Sequence, residues 1–250
     1  MIHLKTNAEI EIMKEGGAIL RKVADQVIPK ITPGMTTLEI DALSESLIRG
    51  YGAEPSFQTV KGYKWSTCTP VNEQAVHTPP SKRELKDGDI MTLDIGVLHK
   101  GFHTDYAYSV PVGKGHDPSI IRFLEVGETT LEGAIKLVKN GEHLGTLGKY
   151  IQEHIEGAGY KILKDLTGHG IGHELHEDPY VLNYVDKPIY KTYKMRPGFV
   201  MALEFIYSMG TDRISYEPHE EWSIITSDRS LAACFEKTVA VTEENVFILT

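Results

Sequence analysis

The sequence has few cysteines, no long apolar run and no cluster of basic residues. Its 250 residues include two cysteines, Cys68 and Cys234, without a Cys-x-x-Cys spacing, so no disulfide framework or thiolate metal site is indicated. No run of about 18 apolar residues occurs, and the N-terminal residues are charged, so we expect no membrane span and no signal peptide. We therefore expect a cytoplasmic protein.

Basic residues are outnumbered by acidic ones. The chain has 26 Lys and Arg against 35 Asp and Glu, a formal net charge of −9, and no basic run. This balance argues against nucleic acid as a substrate. Hydrophobic residues make up 41% and charged residues 24%, which is ordinary for a globular protein with a sizeable core.

Several common catalytic motifs are also missing. There is no G-x-S-x-G elbow and no phosphate-binding P-loop, and neither cysteine has a clear base beside it. The run His173-Glu174-Leu175-His176 resembles the zinc motif H-E-x-x-H. It is one residue too short for both rings to share a helix face.

Helix signals occur in two pairs along the chain. Thr6 and Glu9 form a capping-box pattern before a segment that Pro29 closes, and Thr36 and Glu39 form a second one before a helix that reaches Gly50. Residues 51–80 have mixed loop and strand character. Further elements are predicted as helices over 118–139 and 144–156, a strand over 199–203 and several β segments over 222–250.

The stretch Gly88–Asp105 predicts two strands joined by a tight turn over Leu98–Gly101. In that register Asp94 lies opposite Asp105, with Cβ atoms about 5 Å apart. Two such carboxylates need a shared proton or a cation between them. The alternative is a register shifted by one residue, which would turn one aspartate to solvent.

A weak internal repeat relates the two halves of the chain. The second predicted helix aligns with the fourth at an offset of 107, and DGDIMTLD aligns with PGFVMALE at an offset of 110, which matches Asp94 with Glu204. Chance alignment of a few apolar residues remains the alternative. A duplication would place Asp94 and Glu204 on facing central strands, within one domain over 1–250 with halves of about 1–112 and 113–250.

Acidic residues and one histidine lie within apolar β segments. His169 sits in a glycine-rich run, and Glu204 and Glu236 lie in MALEFI and AACFEKTVAV. A buried carboxylate needs a partner, although either glutamate alone fits an exposed strand face. The candidate ligands for a divalent cation are Asp94, Asp105, His169, Glu204 and Glu236.

Together these motifs resemble the type I methionine aminopeptidases of the pita-bread, creatinase-like metallopeptidase family. The resemblance covers nearly the whole chain and is carried by LDIGVLHKGFHTD, GHGIGHELHEDP, MALEF, DRSL and FEKTVAVT. It implies an α+β fold with a pseudo-twofold central antiparallel sheet and helices covering one face. It also implies removal of N-terminal methionine before a small second residue, through a hydroxide shared by two divalent ions (Co, Mn, Fe or Zn).

The resemblance also implies roles for individual residues. Asp94, Asp105, His169, Glu204 and Glu236 would bind the ions, with Glu204 also shuttling a proton. His77 and His176 would act on the substrate, and the pocket for the methionine side chain would include Tyr63, Cys68 and Trp222. We expect a monomer that acts on peptides and on nascent chains at the ribosome.

Some residues depart from the family pattern, and some alternatives stay open. Phe205 replaces the usual proline, Lys237 the usual histidine and Leu175 a frequent aromatic. On spacing alone His173 is also a candidate ligand, because His169 and His173 are four residues apart; the resemblance gives His173 no catalytic role. Another pita-bread peptidase, or an inactive peptide-binding relative, is the competing interpretation.

Overall fold

A computed structural model describes residues 2–250, which form four α-helices. Both predicted capping boxes are present. The hydroxyls of Thr6 and Thr36 accept from the backbone N–H of Glu9 and Glu39, and the backbone N–H of each threonine donates to the side chain of the same glutamate. No helix within 2–250 is both long enough and apolar enough to cross a membrane. The helices are α1 (Asn7–Val27), α2 (Thr37–Gly50), α3 (Pro118–Leu137) and α4 (Leu144–Gly157).

The strands of residues 2–250 belong to a ten-stranded antiparallel sheet and a three-stranded sheet. The strands are β1 (Glu54–Pro55), β2 (Thr67–Cys68), β3 (Gln74–Val76), β4 (Ile90–His99), β5 (Phe102–Pro111), β6 (Lys161–Ile162), β7 (Gly168–Gly170), β8 (Glu177–Val181), β9 (Val200–Ser208), β10 (Ile214–Tyr216), β11 (Ile224–Thr226), β12 (Ala232–Val241) and β13 (Val246–Ile248).

The larger sheet is built around four long neighbours in the order β4-β5-β12-β9. Side chains alternate between its faces. On β4, Leu93 and Ile95 pack into a core shared with α1 and α2, whereas on β9, Leu203 and Phe205 pack into a core shared with α3 and α4. The helices therefore cover one face of the sheet, and the even-numbered residues of β4, β9 and β12 point to the other.

The register of the β4–β5 hairpin differs from the predicted one. His99 pairs with Phe102 across a two-residue turn whose residues, Lys100 and Gly101, both have positive φ (49° and 84°). A turn of this kind matches the right-handed twist of the strands it connects. Asp94 consequently lies opposite Ala107 and not opposite Asp105. The predicted direct opposition was wrong by two residues, and because two is even, both aspartates still face the same side.

The order of elements repeats, since α1, α2, β4 and β5 are followed later by α3, α4, β9 and β12. Asp94 on β4 and Glu204 on β9 occupy matching places in the sheet. They lie on the strands that flank the central pair, so the expectation that they sit on facing central strands was wrong. The division into halves at about residue 112 stays an interpretation.

Candidate metal centre and active site

A single row of residues crosses the four long strands on the face away from the helices. Asp94 pairs with Ala107, Ala107 with Glu236, and Glu236 with Glu204. Directly opposed residues project from the same face, with Cβ atoms about 5 Å apart. Three carboxylates therefore line up with one methyl group among them, and the small Ala107 side chain leaves space above it.

Two further side chains point to the same face as this row, because side chains two residues apart on a strand project from the same side. Asp105 lies two residues from Ala107, and His169 pairs with Ala202, two residues from Glu204. Ligand atoms of Asp105, His169 and Glu236 all lie within 4.8 Å of one another. His169 Nε2 is also 3.6 Å from Glu204 Oε1. The sheet thus brings all five predicted ligands to one face.

The imidazole of His169 is oriented for metal binding. Its Nδ1 lies 2.9 Å from the Gly170 carbonyl oxygen, which can only accept a hydrogen bond. The proton must therefore sit on Nδ1, and the lone pair of Nε2 is left facing the carboxylates. Desolvation and the neighbouring His176 lower the pKa of His169 to about 3, so the ring is neutral.

The carboxyl groups are too close and too buried to be charged together. Desolvation raises the pKa of each, and a neighbouring carboxylate adds to the rise, as Glu204 does for Asp94 and Asp94 for Asp105. Glu204 keeps 15% of its side chain accessible from the cavity, and its pKa rises to about 8. The pKa of Glu236 is raised in the same way.

One buried oxygen in this group lacks a partner. Glu236 Oε1 makes no hydrogen bond with any atom of residues 2–250. A buried, unpaired carboxylate oxygen is costly. Oxygen ligands joined by one neutral imidazole suit hard or borderline divalent cations. The donor set and the unpaired oxygen therefore both fit the ions that the sequence predicts.

Two more histidines stand at the edge of the row. The His176 ring lies 4.4 Å from the His169 ring, edge to face, and desolvation lowers the pKa of His176. His77 has a positive φ of 59°, and desolvation together with the neighbouring His176 lowers its pKa to about 4. Both rings are neutral donors or acceptors near pH 7.

All predicted ligands, both histidines and the predicted pocket residues line one cavity of about 120 Å³. Tyr63 packs edge to face on Trp222, with ring centroids 5.2 Å apart, and donates a hydrogen bond to the Thr67 carbonyl oxygen at 2.8 Å. Cys68 lies opposite Asp94 at the junction of the apolar wall and the carboxylates. The sequence did not identify further lining residues, Phe57, Val60 and Val76, and Leu175 was noted only as a departure.

His173 lies outside this cavity. Its ring packs against Phe102 at a tilt, with ring centroids 4.4 Å apart, and its Nε2 is 3.4 Å from Glu9 Oε1 of α1. The backbone bends between Gly172 and His176, which turns these two histidines in different directions. The geometry therefore follows the resemblance and not the spacing argument that favoured His173.

Comparison with known proteins identifies the family. Residues 11–243 match the model of metallopeptidase family M24. The chain belongs to this family. It is 38% identical to methionine aminopeptidase 1 of Bacillus subtilis, over 100% of this chain and 99% of that protein. It is 36% identical to the methionine aminopeptidase of Borreliella burgdorferi, over 99% and 98% of the two chains.

Solved structures confirm the predicted pita-bread fold for this M24 chain. Methionine aminopeptidase from Thermotoga maritima superposes with a TM-score of 0.95 at 36% identity, covering 100% of this chain and 99% of that one. Prolidase from Pyrococcus furiosus shares the fold with a TM-score of 0.77 at 24% identity, covering 99% and 65%. The assignment to type I stays a prediction.

The three residues that depart from the methionine aminopeptidase pattern expected from the sequence fall on two sides of the sheet. Phe205 is fully buried among the helices α3 and α4, and Lys237 points to the same side, where its Nζ donates to the Thr250 oxygen at 3.1 Å. Leu175 alone of the three lines the cavity. Leu175 is therefore the departure that contacts the pocket directly.

Proposed function

We propose that this M24 chain is a methionyl aminopeptidase, a metal-dependent hydrolase that releases N-terminal methionine. The observation that supports this most is the row of carboxylates ending at an apolar recess. Asp94 belongs to the row and Cys68, directly opposite, belongs to the recess. A peptide end can thus place an unbranched apolar side chain and a reactive bond side by side.

Asp94, Asp105, His169, Glu204 and Glu236 would hold two divalent ions, with Co, Mn, Fe and Zn all compatible with this donor set. When bound, such ions lower the pKa of water toward neutral and polarise a carbonyl group. Mutual repulsion among the carboxylates is relieved by the same positive charge, so the pKa values that are raised in the metal-free site would fall.

Glu204 would take the proton from the attacking water and deliver it to the departing amine. Its position beside His169 at the edge of the cavity gives access to both, and a single group of this kind contributes about 10²–10⁴-fold. His176 would donate a hydrogen bond to the developing oxyanion. His77, which lines the same cavity, would hold the scissile amide.

The remainder of the peptide has a groove to occupy. A second cavity of about 480 Å³ shares His77, His176 and Glu204 with the first and continues along Thr167 and Tyr180. We propose that residues after the methionine leave through this groove. A small second residue would be preferred, nascent-chain N-termini would be the natural substrates, and a monomer in the cytoplasm remains our expectation.

The proposal is tested by release of free methionine from Met-Ala-Ser and Met-Leu-Ser peptides after Mn or Co has been added. We expect rapid release from the first peptide and much slower release from the second. Equal rates would contradict the proposed preference. Binding of Met-Ala-Ser without any release would instead identify the chain as an inactive peptide-binding relative.

A further inference from the structure

A buried ion pair lies directly behind the loop that carries His176. Lys5 Nζ donates to a Glu177 carboxylate oxygen, and the side chains of the two residues are only 2% and 8% exposed. Lys5 Nζ also donates to the His3 carbonyl oxygen at 3.1 Å. Neither residue lines the smaller cavity of the metal centre, but Glu177 lines the larger cavity beside it. A fully buried lysine is rare unless it is paired, so the buried position of Lys5 depends on Glu177.

The backbone of Lys5 is fixed to the sheet. Its N–H donates to the Gly198 carbonyl oxygen at 2.7 Å, and Gly198 N–H donates to Val241 at 2.8 Å, at the end of β12. Gly198 has a φ of +88°, and a Cβ atom there would lie 2.5 Å from the Lys5 oxygen. Lys5 therefore starts from a rigid point next to the strands that carry Glu204 and Glu236.

The side chain of Lys5 runs against the start of the His176 loop. A Cβ atom at Gly172 would lie 2.1 Å from Lys5 Cε and 2.8 Å from Glu177 Oε1, so the backbone of the loop and the ion pair are in close contact here. The loop begins at Gly172, whose carbonyl oxygen accepts from His103 N–H at 2.7 Å. Lys5 thus touches one end of the loop while its ammonium group binds the other.

Glu177, at the C-terminal end of this loop, also binds the backbone of the loop. Its second oxygen, Oε1, accepts from Glu174 N–H at 3.3 Å, and Gly172 N–H donates to the Glu174 carbonyl oxygen at 3.1 Å. One carboxylate therefore joins the ammonium of Lys5 to the backbone in the middle of the loop. His176 is the residue immediately before it.

We propose that Lys5 is a positioning residue: through Glu177 it holds the loop over residues 172–177, and so holds the His176 ring at the cavity. This inference rests on the proposed function for its effect on turnover, but not for its effect on the loop. A purely structural ion pair would stabilise the N-terminal segment without acting through His176.

The first test measures the loop directly, by hydrogen–deuterium exchange with the metal-loaded protein. Lys5→Met keeps the length of the side chain and removes the ammonium group. We expect faster exchange of the Gly172 and Glu174 amides, with the central strands unchanged. Lys149→Met is the matched control, because Lys149 on α4 also pairs with a glutamate, Glu153, but both side chains are more than half exposed. Unchanged exchange at 172–177 in Lys5→Met would overturn the proposal.

The second test measures turnover of Met-Ala-Ser with a double-mutant cycle. We expect Lys5→Met to lower kcat by about 10- to 100-fold, because misplacing a catalytic group by about 1 Å has effects of this size. Metal content should stay the same. In a His176→Ala background Lys5→Met should have no further effect, whereas in a His77→Ala background it should keep its full effect. Equal losses in both backgrounds would show a general structural role and contradict the proposal.

Leaving Glu177 buried without its partner could unfold the protein. The double variant Lys5→Met with Glu177→Gln removes both charges, and it must show the same fast loop exchange. If the unmodified protein releases no methionine with any metal, the proposed function fails, and the exchange experiment alone decides the role of Lys5.

Discussion

Glu204 and Glu236 lie directly opposite each other on neighbouring strands, an arrangement that ordinarily destabilises a sheet. Both carboxyl groups are desolvated, and Asp94 and Asp105 add negative charge on the same face. A sheet tolerates such a pair when protons or cations neutralise it. At the scale of the residue, this conflict is the reason to infer a metal centre.

Glu204→Gln should keep the protein folded and lower turnover strongly. The amide is nearly isosteric but cannot carry a proton, and loss of one acid–base group costs about 10²–10⁴-fold in rate. Methionine release at saturating Met-Ala-Ser and metal measures the effect. Glu54→Gln, on an exposed strand residue, is the matched control and should match wild type. Turnover of Glu204→Gln within a factor of a few of wild type would remove it from catalysis.

Three neighbouring histidines should respond differently to replacement by alanine. His169→Ala should lose metal and activity together, because a ligand has gone. His176→Ala should keep its metal and lose turnover by about 3–4 kcal/mol in barrier height, the loss typical of one oxyanion donor. His173→Ala should resemble wild type in both, since its contacts with Phe102 and Glu9 lie outside the cavity.

Calorimetric metal titration beside peptide hydrolysis separates these outcomes. If His173→Ala lost its metal and His176→Ala kept normal turnover, the functional role would belong to His173 and not to His176. His173→Ala also serves as the control for general effects of shortening a side chain next to this loop.

The residues differ in how well the sequence could reveal them. Acids within apolar strands are visible because a charge in such a run is unusual, and this signal indicated Glu204 and Glu236. Phe57, Val60 and Val76 could not be found in this way. They come from irregular or very short segments without periodicity, and only the tertiary fold brings them to the cavity.

At the scale of the element, local signals gave reliable predictions. The capping boxes at Thr6 and Thr36 marked the starts of α1 and α2, because a cap depends on residues three apart in sequence. The predicted hairpin register was wrong because the sequence Leu98–Phe102 is compatible with more than one position of the turn. The positive φ values of Lys100 and Gly101 decide between them, and the sequence does not show these angles.

Beside Asp105, the hydroxyl of Thr238 takes the place of backbone hydrogen bonds between β5 and β12. Regular pairing of β5 with β12 ends at Lys237 and Tyr106. At the next position Thr238 Oγ1 accepts from Asp105 N–H at 2.8 Å and donates to the Asp105 carbonyl oxygen at 2.9 Å. Thr238 is fully buried, so these bonds have no solvent substitute.

Thr238→Val should therefore lower the free energy of unfolding by about 1–3 kcal/mol, because it leaves the buried Asp105 N–H without a partner. Thr238→Ser, which keeps the hydroxyl, is the matched control and should cost less. Urea unfolding of the metal-free proteins measures both. The Asp105 carbonyl oxygen keeps the Thr250 hydroxyl at 3.1 Å as a donor, so a valine variant as stable as wild type would contradict the stabilising role of the Thr238 bond to the Asp105 N–H.

At the scale of the whole molecule, the fold brings distant segments into one site. The sheet order β4-β5-β12-β9 joins residues more than a hundred positions apart in sequence, such as Asp94 and Glu236. The resemblance to a family predicted the fold and the ligand set. The row through Ala107 and the contact of Lys5 with Glu177 depend on long-range register, which short sequence patterns do not specify.

The stability of the metal-free protein should fall as pH rises from about 7 to 8. The folded state holds a proton on Glu204, whose pKa is raised to about 8, while the unfolded chain, with a pKa of 4.5, has released it. The folded state then binds more protons, so the free energy of unfolding decreases with pH. His169 adds little slope here, because its pKa is depressed when folded and its ordinary value of 6.5 already lies below this range.

Urea unfolding of the chelated protein at several pH values measures this slope, and Glu204→Gln should have a shallower one. Saturating Mn should reduce the slope as well, since the ions replace the protons. Stability of the metal-free protein that rises with pH over this range would contradict the assignment of raised pKa values to the carboxyl cluster.

The central claim is that this cluster holds metal and that catalysis depends on it. The most direct measurement is methionine release from Met-Ala-Ser by protein stripped with a chelator, with metal content checked by elemental analysis, before and after Mn, Co or Fe is restored. We predict no release from the stripped protein and recovery on addition of metal. Full activity in protein shown to be free of metal would contradict the account.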